Sequence, residues 1–303
     1  MRAAALTAVS TMVVAGCAPS QSNNASSKDT GKVPDKIVIG STLPLTGTES
    51  KTGGRYKQGY ELAIDEINGA GGVDVNGKKV KVELKLLDDT SDQAKAVNLA
   101  QRLITSDNVN FFLGTYSTAL VEAQSTVAEQ NKIPYVNGGG AATSIYAKGY
   151  TWVFSTLAPV ENLATNEMEW IDKQQKAGKL PKPAKIAVVW ENTSHGKDFR
   201  KGIEEFVKKS GNYSIPVNES FALDGKDFSA VLNKVQAAKV DLFMVDAHLP
   251  DFITMHRQYL SSGMCKQGRD LRRTWHRGGR EERAGSEGRG LHPLGCLVEQ
   301  AAR

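Results

Sequence analysis

The sequence predicts an α/β fold in two lobes, each built on a parallel sheet flanked by helices. Short β-branched or aromatic runs alternate with segments whose apolar residues recur three and four positions apart. This is the pattern of strands and helices in an open α/β sheet. Several of the runs are also apolar at every position, which is typical of parallel strands covered on both faces.

The predicted strands fall into two groups, five before residue 157 and three between residues 184 and 246. A helix and a proline-rich link over residues 159–185 separate the groups, so we place lobe 1 at 36–158 and lobe 2 at 159–263. Residues 80, 82 and 84 are apolar and alternate with charged residues, which predicts a strand near a sheet edge. The continuously apolar strands are residues 37–39, 111–113, 186–189 and 242–245.

Between the strands, apolar residues form stripes at helical spacing. The stripes predict helices that cover the sheets through right-handed crossovers. The three clearest stripes are Tyr56/Tyr60/Ala63/Ile64/Ile67, Phe199/Ile203/Phe206/Val207 and Phe228/Val231/Leu232/Val235.

The N-terminal residues have the pattern of an export signal. Residues 1–16 carry Arg2 followed by a mostly apolar stretch that is too short to span a bilayer. The end of this stretch, Val14-Ala15-Gly16-Cys17, resembles a bacterial lipobox and predicts lipidation of Cys17; an ordinary signal peptide with an incidental cysteine is the alternative. Residues 17–35 are polar and small, which predicts a flexible tether.

Composition and charge exclude several classes of protein. At 40% hydrophobic residues the chain is too apolar to be disordered. Its net charge of +5 comes from Arg2 and from residues 264–303, because residues 17–263 carry 28 basic and 28 acidic side chains. Such a balanced body has no basic face for nucleic acid. Three cysteines provide neither a disulfide framework nor a paired zinc motif.

In open α/β sheets a ligand binds outside the carboxyl ends of the strands. Ser117 and Thr118 follow one such end and open a helix, where hydroxyls and unpaired N–H groups suit a carboxylate. Plain N-capping is the alternative, and it is favoured when these two residues are taken alone. Another strand end is followed by the run Asn137-Gly138-Gly139-Gly140-Ala141. Its lack of bulky side chains would let a ligand approach the backbone closely; a simple tight turn is the alternative. The predicted crevice loops are residues 42–53, 88–89, 115–119, 137–143, 191–195 and 246–250.

His195 and His248 follow two strands of the second lobe and are candidates to close over a ligand, with a solvated or capping role as the alternative. They lack the spacing of a metal pair, and we expect no carboxylate-rich cluster beside them. Asp88 and Asp89 are expected to form a turn and to cap the helix that follows. No serine-nucleophile motif is present, so we predict no catalytic residues, no metal and no cofactor.

Ordered blocks of the sequence resemble the type I periplasmic binding proteins, and among them the leucine/isoleucine/valine-binding branch that serves ABC importers. The resemblance covers about residues 36–263. It is carried by a lipobox, a polar tether and the segments IVIGSTLPLTG, GGRYKQGYELAIDEINGAGGV, FFLGTYSTALVEAQSTVAEQNKIPYVN, IAVVWENTSHGKDFRKGIEEF and VDLFMVDAHLPDFITMHRQYLSSG.

The resemblance implies a set of ligand-binding residues. A hydroxyl for the ligand carboxylate falls on Thr118 with Ser117 beside it, and further contacts fall on the loop Gly139, Gly140 and Ala141. A first-loop aromatic position is occupied by Thr52, and two second-lobe aromatic positions are occupied by His195 and His248. Because Ala141 lacks a hydroxyl and two tyrosines are histidines, the resemblance also allows a different carboxylate or an amide as ligand.

The last segment departs from the family pattern. Through residue 263 the chain has 24 Lys and 5 Arg, but residues 264–303 have 1 Lys and 8 Arg without apolar periodicity. We interpret residues 264–303 as an aberrant, disordered tail from a frameshift, so that the C-terminal part of both lobes is missing and Arg272 stands where the family has an acidic residue. A genuine basic tail that docks on acidic lipid or RNA is the alternative.

Together these features predict a lipid-anchored solute-binding protein on the extracytoplasmic face of the membrane. It would bind a small amino acid, branched-chain or related, between its lobes and deliver it to the permease and ATPase subunits of an ABC importer, without catalysis. Alternatives are a ligand-sensing protein for a membrane receptor, or an amide or aromatic carboxylate as ligand. A further alternative, a nucleotide-dependent oxidoreductase, is supported only by the α/β pattern.

Overall fold

The computed structural model describes residues 33–264. The predicted signal peptide, Cys17 and all of the tail beyond Met264, Arg272 included, lie outside the described residues. Within the described part, nine strands and eight helices alternate in the order that an α/β fold requires. No helix of this part is long and apolar enough to cross a bilayer.

The first sheet has six strands in the order β2-β3-β1-β4-β5-β6. All its neighbouring strands are parallel except β2 and β3. Its strands are β1 (Lys36–Leu43), β2 (Val73–Val75), β3 (Lys78–Asp88), β4 (Phe111–Leu113), β5 (Tyr135–Asn137) and β6 (Val153–Ser155). The helices along the same stretch are α1 (Ser50–Gly69), α2 (Gln93–Thr105), α3 (Thr118–Gln130) and α4 (Thr143–Ala147).

The second sheet has three parallel strands in the order β8-β7-β9. Its strands are β7 (Ala184–Glu191), β8 (Tyr213–Phe221) and β9 (Leu242–Asp246), and its helices are α5 (Val160–Lys176), α6 (Ser194–Ser210), α7 (Ser229–Ala238) and α8 (Leu249–Ser261). The three strands between residues 184 and 246 are confirmed. The predicted fold class, parallel sheets flanked by helices, is confirmed as well.

The first sheet contains one strand more than the five that we predicted. The extra strand, β2, forms an antiparallel hairpin with β3. Asn76 and Gly77 make the turn with φ angles of 52° and 82°. Two successive positive φ angles match the right-handed twist of a hairpin, and Asn-Gly is the dipeptide that best adopts them. The signal for β2 was therefore present in the sequence. As predicted, β3 lies next to an edge.

The apolar runs form three buried clusters. One lies on each face of the second sheet, around Ile186, Val188 and Met244 on one face and Val189, Phe243 and Val245 on the other. This two-sided burial is why β7 and β9 read as continuously apolar. The third cluster packs helices α2 and α3 against the first sheet.

Two local predictions on the first sheet are wrong. The stripe on α1 is buried only at Ile64, whereas Ala63 and Ile67 are exposed. Asp88 and Asp89 do bond the turn that follows them, but the cap of α2 is Asp92, whose carboxylate accepts the N–H of Lys95 at 2.6 Å. Asp92 lies within reach of the first free N–H groups of the helix, whereas the earlier pair is held by the turn.

Candidate functional site

The carboxyl ends of five strands bring the candidate residues to one crevice. Strand β1 leads into α1, and β4 and β5 lead into the loops at residues 114–117 and 138–142. On the second sheet, β7 and β9 end in Glu191 and Asp246. Contacts between side chains of the two sets of loops, described below, make these ends the two sides of a single crevice, as the topology rule requires.

The first-sheet side is uncharged at its centre. Ser117 is the N-cap residue of α3, yet its side chain makes no capping hydrogen bond. Thr118 accepts the backbone N–H of Ala141 with its hydroxyl at 3.2 Å, and all three residues are buried. The start of α3 therefore keeps free N–H groups and two hydroxyls at the crevice, which is the chemistry of a carboxylate site.

The glycine loop is held by close backbone packing. The amide oxygen of Asn137 accepts the N–H groups of Gly139 at 3.0 Å and of Gly140 at 2.9 Å. A Cβ atom on Gly139 would lie 2.0 Å from the carbonyl oxygen of Thr115, and one on Gly140 would lie 2.7 Å from the side chain of Ile145. Only glycine fits at either position, so the loop is more than a generic tight turn.

A buried polar network supports these loops from below. The carboxylate of Asp89, fully buried, accepts the hydroxyls of Thr42 at 2.8 Å and Thr115 at 3.0 Å. The side chain of Gln124 reaches Thr42 and accepts the hydroxyl of Tyr135. Such a network fixes the ends of β1, β3 and β4 relative to the start of α3.

The second-sheet side is charged. His195 lies 3.0 Å from Asp246 through its Nδ1 atom. His248 lies 2.9 Å from Glu49 through Nδ1 and 3.5 Å from Glu191 through Nε2. We refer to these five residues, Glu49, Glu191, His195, Asp246 and His248, as the charged cluster. Its carboxylates are buried, with Glu191 and Asp246 each 1% exposed.

The charged cluster perturbs its own members. Burial alone would lower the pKa of His195, but the Asp246 carboxylate raises it above its ordinary value. Burial opposes protonation of His248 too, yet the hydrogen bond to Glu49 and the charge of Glu191 raise its pKa to about 9. Burial raises the pKa of Glu191 against the charge of His248. His248 is therefore held in the protonated form at neutral pH, and the protonated form of His195 is favoured relative to a free imidazole.

The two sides meet directly. Glu49 begins α1 on the first-sheet side and pairs with His248, which precedes α8. The ring of Tyr116 lies 5.5 Å from that of His248 and 5.8 Å from that of Tyr56. Thr52 follows on the first turn of α1 and is 6% exposed, with a buried hydroxyl that has no hydrogen-bond partner among the described residues.

The predicted crevice loops do meet in the structure, but four side chains of these loops were not among the predicted site residues. Glu49, Tyr116, Glu191 and Asp246 all face the crevice, and the expectation of no carboxylate-rich cluster beside the histidines is wrong. A signal existed, because VVWE and FMVD each place an acid directly after a buried apolar strand. Glu49 had no comparable signal, since its partner His248 lies 199 positions away.

Three donor atoms of the charged cluster, on Glu191, His195 and Asp246, lie within 4.8 Å of one another. This donor set is of the kind that binds zinc. The Nδ1 atom of His195 is hydrogen bonded to Asp246, so a metal ion at these three residues would have to bind the Nε2 atom of His195 or displace this hydrogen bond.

Comparison with known proteins agrees with this architecture. A family model described as periplasmic binding protein matches residues 36–270. The Leu/Ile/Val-binding protein homolog 8 of Brucella abortus is 30% identical over 229 residues, which are 75% of this chain and 55% of that protein. The chain thus spans about half the length of the curated relatives that it matches.

Two solved structures show the same fold. One is a branched-chain amino acid transporter substrate-binding protein from Streptococcus pneumoniae in complex with isoleucine, with a TM-score of 0.65 at 21% identity over 75% of this chain and 62% of that one. The other is an ABC-transporter solute-binding protein from Rhodopseudomonas palustris in complex with 3,4-dihydroxybenzoic acid. Its TM-score is 0.65 at 23% identity, over 78% of this chain and 61% of that one. With a family match over most of its length, the chain belongs to the type I periplasmic binding proteins.

Proposed function

We propose that the protein is the extracytoplasmic solute-binding component of an ABC importer, and that it binds a small amino acid, branched-chain or related, in the crevice between its lobes. Its action is binding without catalysis. Lipidation of Cys17 would hold it at the membrane, where permease and ATPase subunits receive the solute. The family of the chain and the names of its relatives support this assignment.

One observation carries the proposal. At the start of α3, the uncapped hydroxyl of Ser117 and the buried hydroxyl of Thr118 stand beside the backbone of Gly139 and Ala141. These groups are neutral donors at the positive end of a helix dipole, which favours an anionic group such as a carboxylate over a neutral one. The charged cluster faces them and supplies acceptors for an ammonium group. An amino acid offers both groups.

Delivery to a permease requires that the liganded shape differ from the empty one. Pairs across the crevice, such as His248 with Glu49 and Ser194 with Glu122, form only when the two sides approach. A ligand that contacts both sides would add to these pairs and shift the population toward the closed form. The permease would then recognise the closed form.

The test is calorimetric titration of the purified chain with amino acids, comparing wild type with Thr118→Val. Valine keeps the shape of threonine but removes the hydroxyl, so the ligand carboxylate loses a buried donor. We expect the dissociation constant to rise about 10-fold to 100-fold. The matched control is Thr126→Val on the same helix, whose hydroxyl donates to the backbone carbonyl of Glu122 at 3.0 Å and lies 2.9 Å from the hydroxyl of Tyr150.

Far-UV circular dichroism of each variant checks that it remains folded. If folded wild-type chain binds no member of an amino-acid panel, the proposed function is wrong. If Thr118→Val and Thr126→Val bind with the affinity of the wild type, amino-acid binding stands but Thr118 does not belong to the site.

A further inference from the structure

With both of its histidines protonated and its three acids ionised, the charged cluster has an excess of one formal negative charge. Glu49, Glu191 and Asp246 contribute three carboxylates, and His195 and His248 contribute at most two positive charges. Among the described residues, no lysine or arginine forms an ion pair with any of the three acids. Buried charges are normally balanced, since an unpaired charge away from water is costly. One more positive charge would therefore bring the charged cluster to electrical balance.

The cluster also lacks hydrogen-bond donors. The Oε2 atoms of Glu49 and Glu191 are buried and have no hydrogen-bond partner among the described residues, and neither has the hydroxyl oxygen of Thr52. Glu191 is held by Thr193 at its other oxygen, so its carboxylate cannot turn away without breaking a 2.8 Å bond. A group with several N–H donors could satisfy both of these free carboxylate oxygens, which come from opposite sides of the crevice.

An amino acid with an uncharged side chain does not supply the missing charge. Its carboxylate and ammonium cancel, so the buried total stays negative when it binds. A solute with one further cationic group brings the total to zero.

We propose that the solute is a basic amino acid, whose side-chain ammonium or guanidinium group donates to the free Oε2 atoms of Glu49 and Glu191 beside His248, while its carboxylate meets Ser117 and Thr118. This inference rests on the proposed function and narrows it. It replaces the apolar side chain of a branched-chain amino acid by a cationic one. An ammonium has three donors and a guanidinium five, which is enough for both orphaned oxygens.

Matched ligand pairs test the charge directly. Lysine and norleucine have the same chain length and differ by the side-chain ammonium, and arginine and citrulline differ by the guanidinium charge. Calorimetric titration of the purified chain at pH 7 is expected to give dissociation constants about 10-fold to 100-fold lower for lysine and arginine than for their neutral partners. Leucine is expected to bind no better than norleucine.

A variant links the preference to the cluster. Glu191→Gln keeps the size of the side chain and removes the excess charge, so the ratio within each ligand pair is expected to fall to near one. The control is Glu219→Gln, which removes an exposed carboxylate paired with Lys234 on the same sheet and is expected to leave the ratio unchanged. If Glu191→Gln does not fold, the ratios of dissociation constants measured for the wild type within each ligand pair still test the inference.

The outcomes separate this inference from the proposed function. If norleucine, citrulline or leucine binds as well as lysine and arginine, the protein binds amino acids but the inference is overturned. If no amino acid binds, the proposed function fails first. Titration with Zn²⁺ completes the test, because stoichiometric zinc binding that is lost in Glu191→Gln would make the cluster a metal site and overturn the inference as well.

Discussion

The two sides of the crevice differ in what they are made of. The first-sheet side presents hydroxyls and backbone at Ser117, Thr118 and Gly139, held by close packing. The second-sheet side presents carboxylates and imidazoles at Glu191, His195, Asp246 and His248, held by ion pairs. Backbone groups can bind only what all amino acids share, whereas charged side chains can discriminate. Under the proposed function, the hydroxyls and backbone of the first-sheet side would anchor the ligand, and the charged cluster, which Glu49 joins from the first-sheet side, would select it.

The largest effect on stability should come from adding a methyl group to the glycine loop on the first-sheet side. Gly139→Ala places a methyl group 2.0 Å from the carbonyl oxygen of Thr115, and the loop must move to accept it. We expect the free energy of unfolding to fall by about 4 kcal/mol, and ligand binding to be lost. Urea denaturation measures the change.

The control for Gly139→Ala is Gly59→Ala, on α1, where an added Cβ meets no atom within 4 Å. Alanine in a helix interior is expected to stabilise the protein by about 0.5–1 kcal/mol. Equal and small effects of the two substitutions would mean that the glycine loop is not tightly packed, and the contrast between the two sides would disappear.

The charged side should respond to pH, and the backbone side should not. The folded protein raises the pKa of His248 from 6.5 to about 9, chiefly through Glu49 and Glu191 against the effect of burial. The stabilisation is fully present below pH 6.5 and is lost as the pH rises through 9, amounting to about 3 kcal/mol. Urea denaturation between pH 6 and 10 measures it, by comparison with His248→Gln.

The variant removes the charge of His248 together with its effect on the neighbouring Glu191, whose pKa that charge lowers. We expect the free energy of unfolding to fall more steeply with rising pH in the wild type than in His248→Gln. Parallel pH profiles would contradict an ion pair between His248 and Glu49 and would leave the two sides of the crevice unconnected by charge.

The smallest effect should come from a single neutral hydrogen bond on the first-sheet side. The hydroxyl of Tyr56 donates to the carbonyl oxygen of Gly138 at 2.8 Å, and Tyr56→Phe removes only that bond. We expect a loss of about 1 kcal/mol in the free energy of unfolding, without a change in its pH dependence. A loss that varied with pH would show that the backbone side is coupled to the charged cluster.

The order of strands and helices could be predicted from the sequence, because their signals are local. Runs of apolar residues identified β7 and β9, and the alternation at Val80 and Val82 identified a strand near an edge. The prediction failed on α1, where Ala63 and Ile67 are exposed although they lie on its apolar stripe. Periodicity shows which face of a helix is apolar, but burial depends on what packs against that face.

The loops of the crevice follow from the pattern of strands alone, because parallel strands place their carboxyl ends together whatever side chains follow. The pairing of Glu49 with His248 and of Asp246 with His195, across 199 and 51 positions of the chain, follows only from the folded structure. Ion pairs and pKa shifts depend on distance and burial in space, which a linear pattern does not encode. The unbalanced charge of the charged cluster, and the selectivity that we infer from it, depend on residues from both sheets, which only the folded chain brings together.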